Sequence, residues 1–414
     1  MDKSCDEGRY FPDGMTDDQQ QHEDSEKAGS EESQPVWARP QAFAVADAGW
    51  GWVSRKGRRH PCESFDELSK AIVRDAGAQV DLVWTPACDY LVLPEELPEL
   101  HQAMRDARIR WAEWEMDEGH RQMVIFGVVL MGMAAYSKFS GKPLMAFGPA
   151  GLALLLFIVL GVIPWYQGRK RLRRARTRPL VVSADDLAEI RFETWLMHQK
   201  TPVTKVLLGL IAMVALCQLA SGGWNASVMD AGLTKVNGRA SDWWRLLTAP
   251  FLHGGWIHLL MNGSALYYLG RRMEVLARWP HVAAVFLLAA WVGGEASARY
   301  VTSSSVGASG GLMGLLGFLL VFENLHRSLV PQAATRRLLA GVVLTGVIGV
   351  IGFKLIDNAA HVGGLLAGMV YAFAVFPKSN STRRPRETGV DRLLGGAALL
   401  VLGLSAGWAC LKLM

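Results

Sequence analysis

Nine apolar stretches, most of them near the length a helix needs to cross a bilayer, constrain this sequence more than any other feature. They cover residues 123–139, 143–166, 203–220, 256–269, 281–298, 309–322, 338–353, 358–376 and 393–413. A hydrocarbon interior supplies no water to backbone N–H and C=O groups, so such stretches must close their hydrogen bonds internally, as helices. The expected fold class is an all-α polytopic membrane protein, with an N-terminal transmembrane hairpin, a six-helix core and a C-terminal seventh helix. Half of the residues are hydrophobic, but unevenly placed. Residues 1–35 hold eleven Asp or Glu against three Lys or Arg and read as a disordered acidic tail, because too little apolar surface is present to offset the ordering entropy.

Residues 36–121 read as a small α+β soluble domain. Alternation at 42–45 and 50–53, with apolar runs at 80–84 and 90–93, predicts short strands. Ser64 and Glu67 have capping-box spacing ahead of Leu68, Ile72 and Val73. A charged helix from Glu95 then leads to the membrane. The hairpin takes 122–167, a basic cytoplasmic linker 168–200, the core 201–376, and a cytoplasmic loop with the final helix 377–414.

Lys and Arg cluster at 169–178, 271–278, 327–337 and 378–392, at every second boundary, which marks those faces as cytoplasmic. The tail has neither the basic start nor the apolar run of a signal peptide, so the N-terminus is expected in the cytoplasm. The loop 221–251 and the start of the 309–322 stretch then open to the exterior, in a plasma (inner) membrane. The basic run 169–176 fits a topology signal beside anionic lipid, and no nucleic-acid partner is expected. Cys5, Cys62, Cys88, Cys217 and Cys410 show no paired spacing, so neither a disulfide framework nor a zinc site is expected.

Polar residues inside such stretches are costly unless they face a polar cavity. Ser309 lies in Gly307-Ala308-Ser309-Gly310-Gly311 at the head of an apolar stretch, and His361 heads another. A serine hydroxyl needs a base to attack an amide, and a histidine is one. Gly310, Gly314 and Gly317 form a small-residue stripe that also suits plain helix packing. Gly364 and Gly368 share a face with His361 and could lie against that stripe. Asp357, one turn before His361, reads as a helix cap rather than an acid partner. His258 and Asn262, four apart, share another helical face and can both donate hydrogen bonds, as an oxyanion site requires. No carboxylate joins the histidines at metal-ligand spacing, so no metal and no other cofactor is expected.

Together these residues resemble the rhomboid intramembrane serine proteases. The matching pieces are Trp244-Arg245, then His253 with His258 and Asn262, then Glu274, then Gly307-Ala308-Ser309-Gly310, then Ala360-His361 with Gly364 and Gly368, in that order. The resemblance covers about residues 201–376. It implies a Ser309–His361 dyad and an oxyanion hole from His258, Asn262 and the backbone N–H groups of Ser309 and Gly307. It gives Trp244 and Arg245 a structural role in the outer loop, His253 a role at the entrance, and Glu274 a bracing role between helices near the cytoplasmic side. Expected partners are membrane proteins whose transmembrane helices are cut, together with lipid. The alternatives are a catalytically silent rhomboid-like protein that binds transmembrane helices, and a transporter or channel, for which the sequence shows no internal repeat.

Overall fold

A computed structural model of the chain describes residues 34–74, 80–141, 153–154, 156–177, 182–351 and 356–414. The acidic tail up to residue 33, and parts of the expected 143–166 and 338–353 spans, lie outside the described residues. Two compact units emerge, one of Pro40–Gln199 and one of Lys200–Met414 with the described residues before Pro40.

In the first unit, β1 (Trp50–Ser54) is flanked by β2 (Arg59–Cys62); α1 (Phe65–Arg74) follows, and β3 (Val80–Trp84) completes an antiparallel sheet of order β2-β1-β3. Gly51 is required where it stands, since a Cβ there would fall 2.1 Å from the Trp84 ring. Leu68 and Ile72 of α1 pack with Trp52, Val83 and Leu100. Ser64 caps α1 by accepting from the Glu67 amide at 3.3 Å, while the Glu67 carboxylate reaches the Glu63 amide at 2.8 Å. The strands expected at 42–45 and 90–93 shrink to isolated bridges, Val45 to Tyr90 and Val83 to Val92. A tight turn over Pro40–Ala42 occupies the start of the first, where proline fixes φ and removes a donor.

Helix α2 (His101–Ser140) runs for 40 residues without a proline. At 1.5 Å per residue it is about 60 Å long, roughly twice the hydrocarbon thickness. The boundary expected at residue 121 is therefore a change of surface chemistry within one helix. After a π-helical segment (Phe157–Val162), α3 (Ile163–Thr177) packs on α2 through glycines: a Cβ on Gly119 would lie 2.6 Å from the Trp165 nitrogen. Arg171 pairs with Glu115 at 2.9 Å and Arg176 with Glu113 at 2.6 Å. The stretch 168–200, expected as a linker, is largely helical, comprising the end of α3 and then α4 (Ala184–His198), which Ser183 caps.

The second unit begins with α5 (Pro202–Ala220), α6 (Trp224–Ala231), a two-strand ribbon of β4 (Lys235–Val236) and β5 (Arg239–Ala240), and the short α7 (Arg245–Thr248). Then come α8 (Trp256–Ala277), α9 (Trp279–Tyr300), α10 (Ser309–Leu325), α11 (Gln332–Ile351), α12 (Asn358–Val375) and α13 (Gly389–Leu413). Among the described residues, five helices are long and apolar enough to cross a membrane: Pro98–Ser140, Pro202–Ala220, Trp279–Tyr300, Asn358–Val375 and Gly389–Leu413. Helix α8 carries Arg271, Arg272 and Glu274 near its end, and α10 has only 17 residues. Helix α12 has two faces: Val362, Leu366, Val370 and Phe373 point outward, while Gly364 and Gly368 are buried. An apolar face turned outward beside a close-packed small face is what lipid on one side and protein on the other require. The chain is an integral, multi-pass membrane protein.

The last helix packs on α9, where a Cβ on Gly395 would fall 2.4 Å from Pro280 Cα. It also meets α5, with the Cys217 and Cys410 sulfurs 3.0 Å apart. Treatment of the folded protein with a small-molecule disulfide is expected to join these two cysteines, each attacked sulfur releasing one thiol of the reagent. Counting maleimide-reactive thiols before and after reductant checks it. If Cys217→Ser leaves the same count, this helix pairing is wrong.

Candidate active site

Ser309 is the first residue of α10. The chain reaches it through Gly307, whose φ of +121° is open to glycine but strained for other residues. A Cβ at Gly307 would lie 2.7 Å from the Cε1 and Nε2 atoms of His258 and 3.3 Å from the Asn262 amide nitrogen. So His258 and Asn262, on consecutive turns of α8, converge on the backbone just before Ser309. The Gly254 amide donates to His258 Nδ1 at 3.4 Å, which leaves the proton on Nε2, the atom facing Gly307. The Asn262 side-chain nitrogen is buried and finds no hydrogen-bond partner among the described residues. A buried donor left so costs about 1–3 kcal/mol, and an incoming oxyanion would relieve it.

The sequence reading gave the Gly307 amide a share of the oxyanion hole, and the structure corrects this. That N–H donates to the Ala249 carbonyl at 3.0 Å. Gly307 contributes room for His258 and Asn262 instead. A cavity of about 40 Å³ reaches Ser309, lined also by Gly310, Ser297, Ser305 and Asp357.

His361 is in the first turn of α12, and backbone contact between α10 and α12 sets its height. A Cβ on Gly364 would fall 2.0 Å from the Gly310 carbonyl oxygen, and one on Gly368 would fall 1.9 Å from that of Gly314. The two helices thus run parallel in fixed register, and His361, one turn before Gly364, is level with the start of α10. The Ser309 hydroxyl and the His361 ring share no hydrogen bond among the described residues. Such bonds commonly tighten only when substrate is bound. Asp357 caps α12, its carboxylate accepting from the Ala360 amide at 3.0 Å.

His253 is buried, 5.1 Å from His258 between ring centres, and its Nδ1 donates to the Phe251 carbonyl at 3.2 Å. Burial, together with the neighbouring His258, pushes its pKa down to about 4, so it stays neutral at physiological pH. Arg245 fastens the outer loop, donating to the carbonyls of Met229 at 3.0 Å and Gly232 at 2.8 Å with its guanidinium over the Trp244 ring. Glu274 lies inside α8 rather than after it, and accepts from the amides of Val203 at 3.0 Å and Thr204 at 2.8 Å, capping α5. Gln218 was missed by the sequence reading: it holds the His253 backbone at both ends, donating to its carbonyl at 3.0 Å and accepting from its amide at 2.9 Å. Its signal was available, since a glutamine inside an apolar span needs a partner. Among the described residues no group of three or more His, Cys, Asp or Glu could hold a metal ion.

The rhomboid domain model matches residues 240–378, a span that includes Gly307, Ser309, His361 and the α8 donors. The chain carries a rhomboid domain. Rhomboid protease GluP of Bacillus subtilis (strain 168) is 30% identical over 203 residues, 48% of this chain and 38% of that protein. RHOMBOID-like protein 4 of Arabidopsis thaliana is 36% identical over 142 residues, 33% of this chain and 35% of that protein. Inactive rhomboid protein 2 of Homo sapiens is 34% identical over 139 residues, 33% of this chain and 16% of that protein. The chain therefore spans well under half the length of these relatives, and they include both a named protease and a named inactive protein.

Proposed function

We propose that this protein is an intramembrane serine endopeptidase that cuts transmembrane segments of membrane proteins. One observation carries the reading: Gly364 and Gly368 seat α12 on α10 in a register that brings His361 to the level of Ser309. The unpaired Asn262 donor and His258 beside Gly307 support it.

His361 takes the Ser309 proton as the hydroxyl oxygen bonds to the peptide carbonyl carbon. Negative charge on the former carbonyl oxygen is met by His258 Nε2–H, the Asn262 amide and the Ser309 N–H. As the C–N bond breaks, the imidazolium returns its proton to the leaving amine. Water then attacks the acyl-enzyme, with His361 again the base, releasing the acid and restoring Ser309. No step calls for a metal. On the positive-inside orientation, the N-terminus is cytoplasmic and this site opens to the exterior side of a plasma (inner) membrane.

The rival is a silent rhomboid that binds helices, favoured by the identity to an inactive relative. A serine-reactive fluorophosphonate distinguishes them without a substrate. Detergent-solubilised wild type is expected to be labelled, and Ser309→Ala and His361→Ala to lose the label. A folded wild type that stays unlabelled sinks the protease reading.

A further inference from the structure

Beside the cavity that Ser309 lines with Ser297, Ser305 and Asp357, a lysine and an aspartate from distant parts of the chain meet largely out of solvent. The side chain of Lys235, on β4, is 3% exposed, and that of Asp357 is 16% exposed, with 3.7 Å between charged atoms. Lys235 Nζ donates to the Ser305 hydroxyl at 2.8 Å. The hydroxyls of Ser305 and of Ser297, on α9, both donate to the Asp357 carboxylate. Ser305 is further tied to the outer loop by two backbone bonds with Leu233, of 2.9 and 3.0 Å.

Each of these contacts ends near the reacting residues. Ser305 stands two residues before Gly307, on the loop that delivers Ser309. Asp357 holds the first turn of the histidine helix twice: its carboxylate accepts from the Ala360 amide at 3.0 Å and its carbonyl from the His361 amide at 3.1 Å. With Ser297, Ser305, Ala360 and Lys235 around it, the carboxylate is fully engaged, and no bond from the His361 ring reaches it among the described residues. It is not an acid partner for the histidine.

We propose that Lys235 and Asp357 form a positioning clamp, in which the outer-loop ammonium holds the carboxylate that fixes His361 against the Ser309 loop. The inference rests on the serine–histidine reading above. Burial alone would raise the Asp357 carboxyl, but its hydrogen bonds from Ser297, Ser305 and Ala360 and the Lys235 charge outweigh it and hold the group below the usual range. The carboxylate is thus favoured in its ionised form, while burial pulls the Lys235 ammonium down and the Asp357 charge works against that pull. Removing one leaves the other buried and uncompensated, whereas neutralising both does not.

The test compares wild type, Lys235→Met, Asp357→Ala and Lys235→Met/Asp357→Asn by fluorophosphonate labelling kinetics and by hydrogen exchange at Ser305, Ala360 and His361. Lys235→Met and Asp357→Ala are expected to lower the maximal labelling rate by about 10–100-fold, as small misplacements of reacting groups do, with the half-saturating probe concentration little changed. Exchange at the three amides should quicken. The double variant keeps an Asn cap and no net charge, so labelling should return to within about threefold of wild type. If Lys235→Met labels at the wild-type rate, or the double variant is no better than the single, the clamp is wrong. An unlabelled wild type instead removes the serine reading; unchanged exchange in Lys235→Met would then remove the clamp as well, and faster exchange would leave it as a device that fixes α12.

Discussion

Gly368→Leu is expected to abolish fluorophosphonate labelling and to lower the thermal midpoint of the solubilised protein by many degrees. Even the first carbon of the new side chain would sit 1.9 Å from the Gly314 carbonyl oxygen and 2.6 Å from its carbon. These are backbone atoms of a packed helix, so no rotamer change relieves the clash. Helices α10 and α12 must separate, and His361 moves with α12 while Ser309 stays with α10. Overpacking of this kind typically costs about 1–3 kcal/mol, and more where backbone must shift. Displacement by an ångström can by itself cost about 10²-fold in rate. Gly364→Ala should behave alike, because its Cβ meets the Gly310 oxygen at 2.0 Å. Gly209, in α5, has nothing within 4 Å of an added Cβ, so Gly209→Ala should be neutral or slightly stabilising. Gly368→Ala as harmless as Gly209→Ala would show that the register is not as described.

That register was legible because it is written locally. Glycines at spacings of three and four mark a helix face, and His361 and Ser309 stand at fixed offsets from them. The same holds for His258 and Asn262, a four-residue interval on one helix. The 40-residue α2 was legible only in halves, as a charged helix and then an apolar span: polarity changes near Arg121, but nothing there stops a helix, and hydropathy reports environment rather than continuity. What could not be read is contact across the chain. Lys235 and Asp357 are 122 positions apart, as their numbers show, and Cys217 and Cys410 are 193 apart. Neither pair has a spacing that distinguishes it from unpaired residues. The Gly307 amide failed for a related reason: whether an N–H is free depends on which carbonyl folds over it, here Ala249. Asp357 was legible as a cap, but its ties to Ser297, Ser305 and Lys235 were not.

Arg272→Met is expected to destabilise the fold by about 3–5 kcal/mol, the usual cost of leaving one member of a buried ion pair alone. Arg272 on α8 and Glu323 on α10 are 1% and 0% exposed, joined by two bonds of 2.6 and 3.1 Å. The Thr335 hydroxyl adds a third donor to the same carboxylate at 2.9 Å, bringing in the start of α11. Without the guanidinium, the buried Glu323 carboxylate is left without its counter-charge, which costs stability. Arg272→Met/Glu323→Leu removes both charges and should recover most of the loss, since apolar replacements of buried pairs are often neutral or better. The measurement is thermal unfolding in detergent, with labelling followed below the transition. Glu323 lies fourteen residues along α10 from Ser309, about 21 Å at 1.5 Å per residue, so the folded fraction of Arg272→Met should label at the wild-type rate. That separates these two charge pairs: Lys235–Asp357 should govern rate, Arg272–Glu323 stability. A wild-type midpoint for Arg272→Met would mean that lipid, detergent or water reaches Glu323, and that α8 and α10 are held at that end by packing alone.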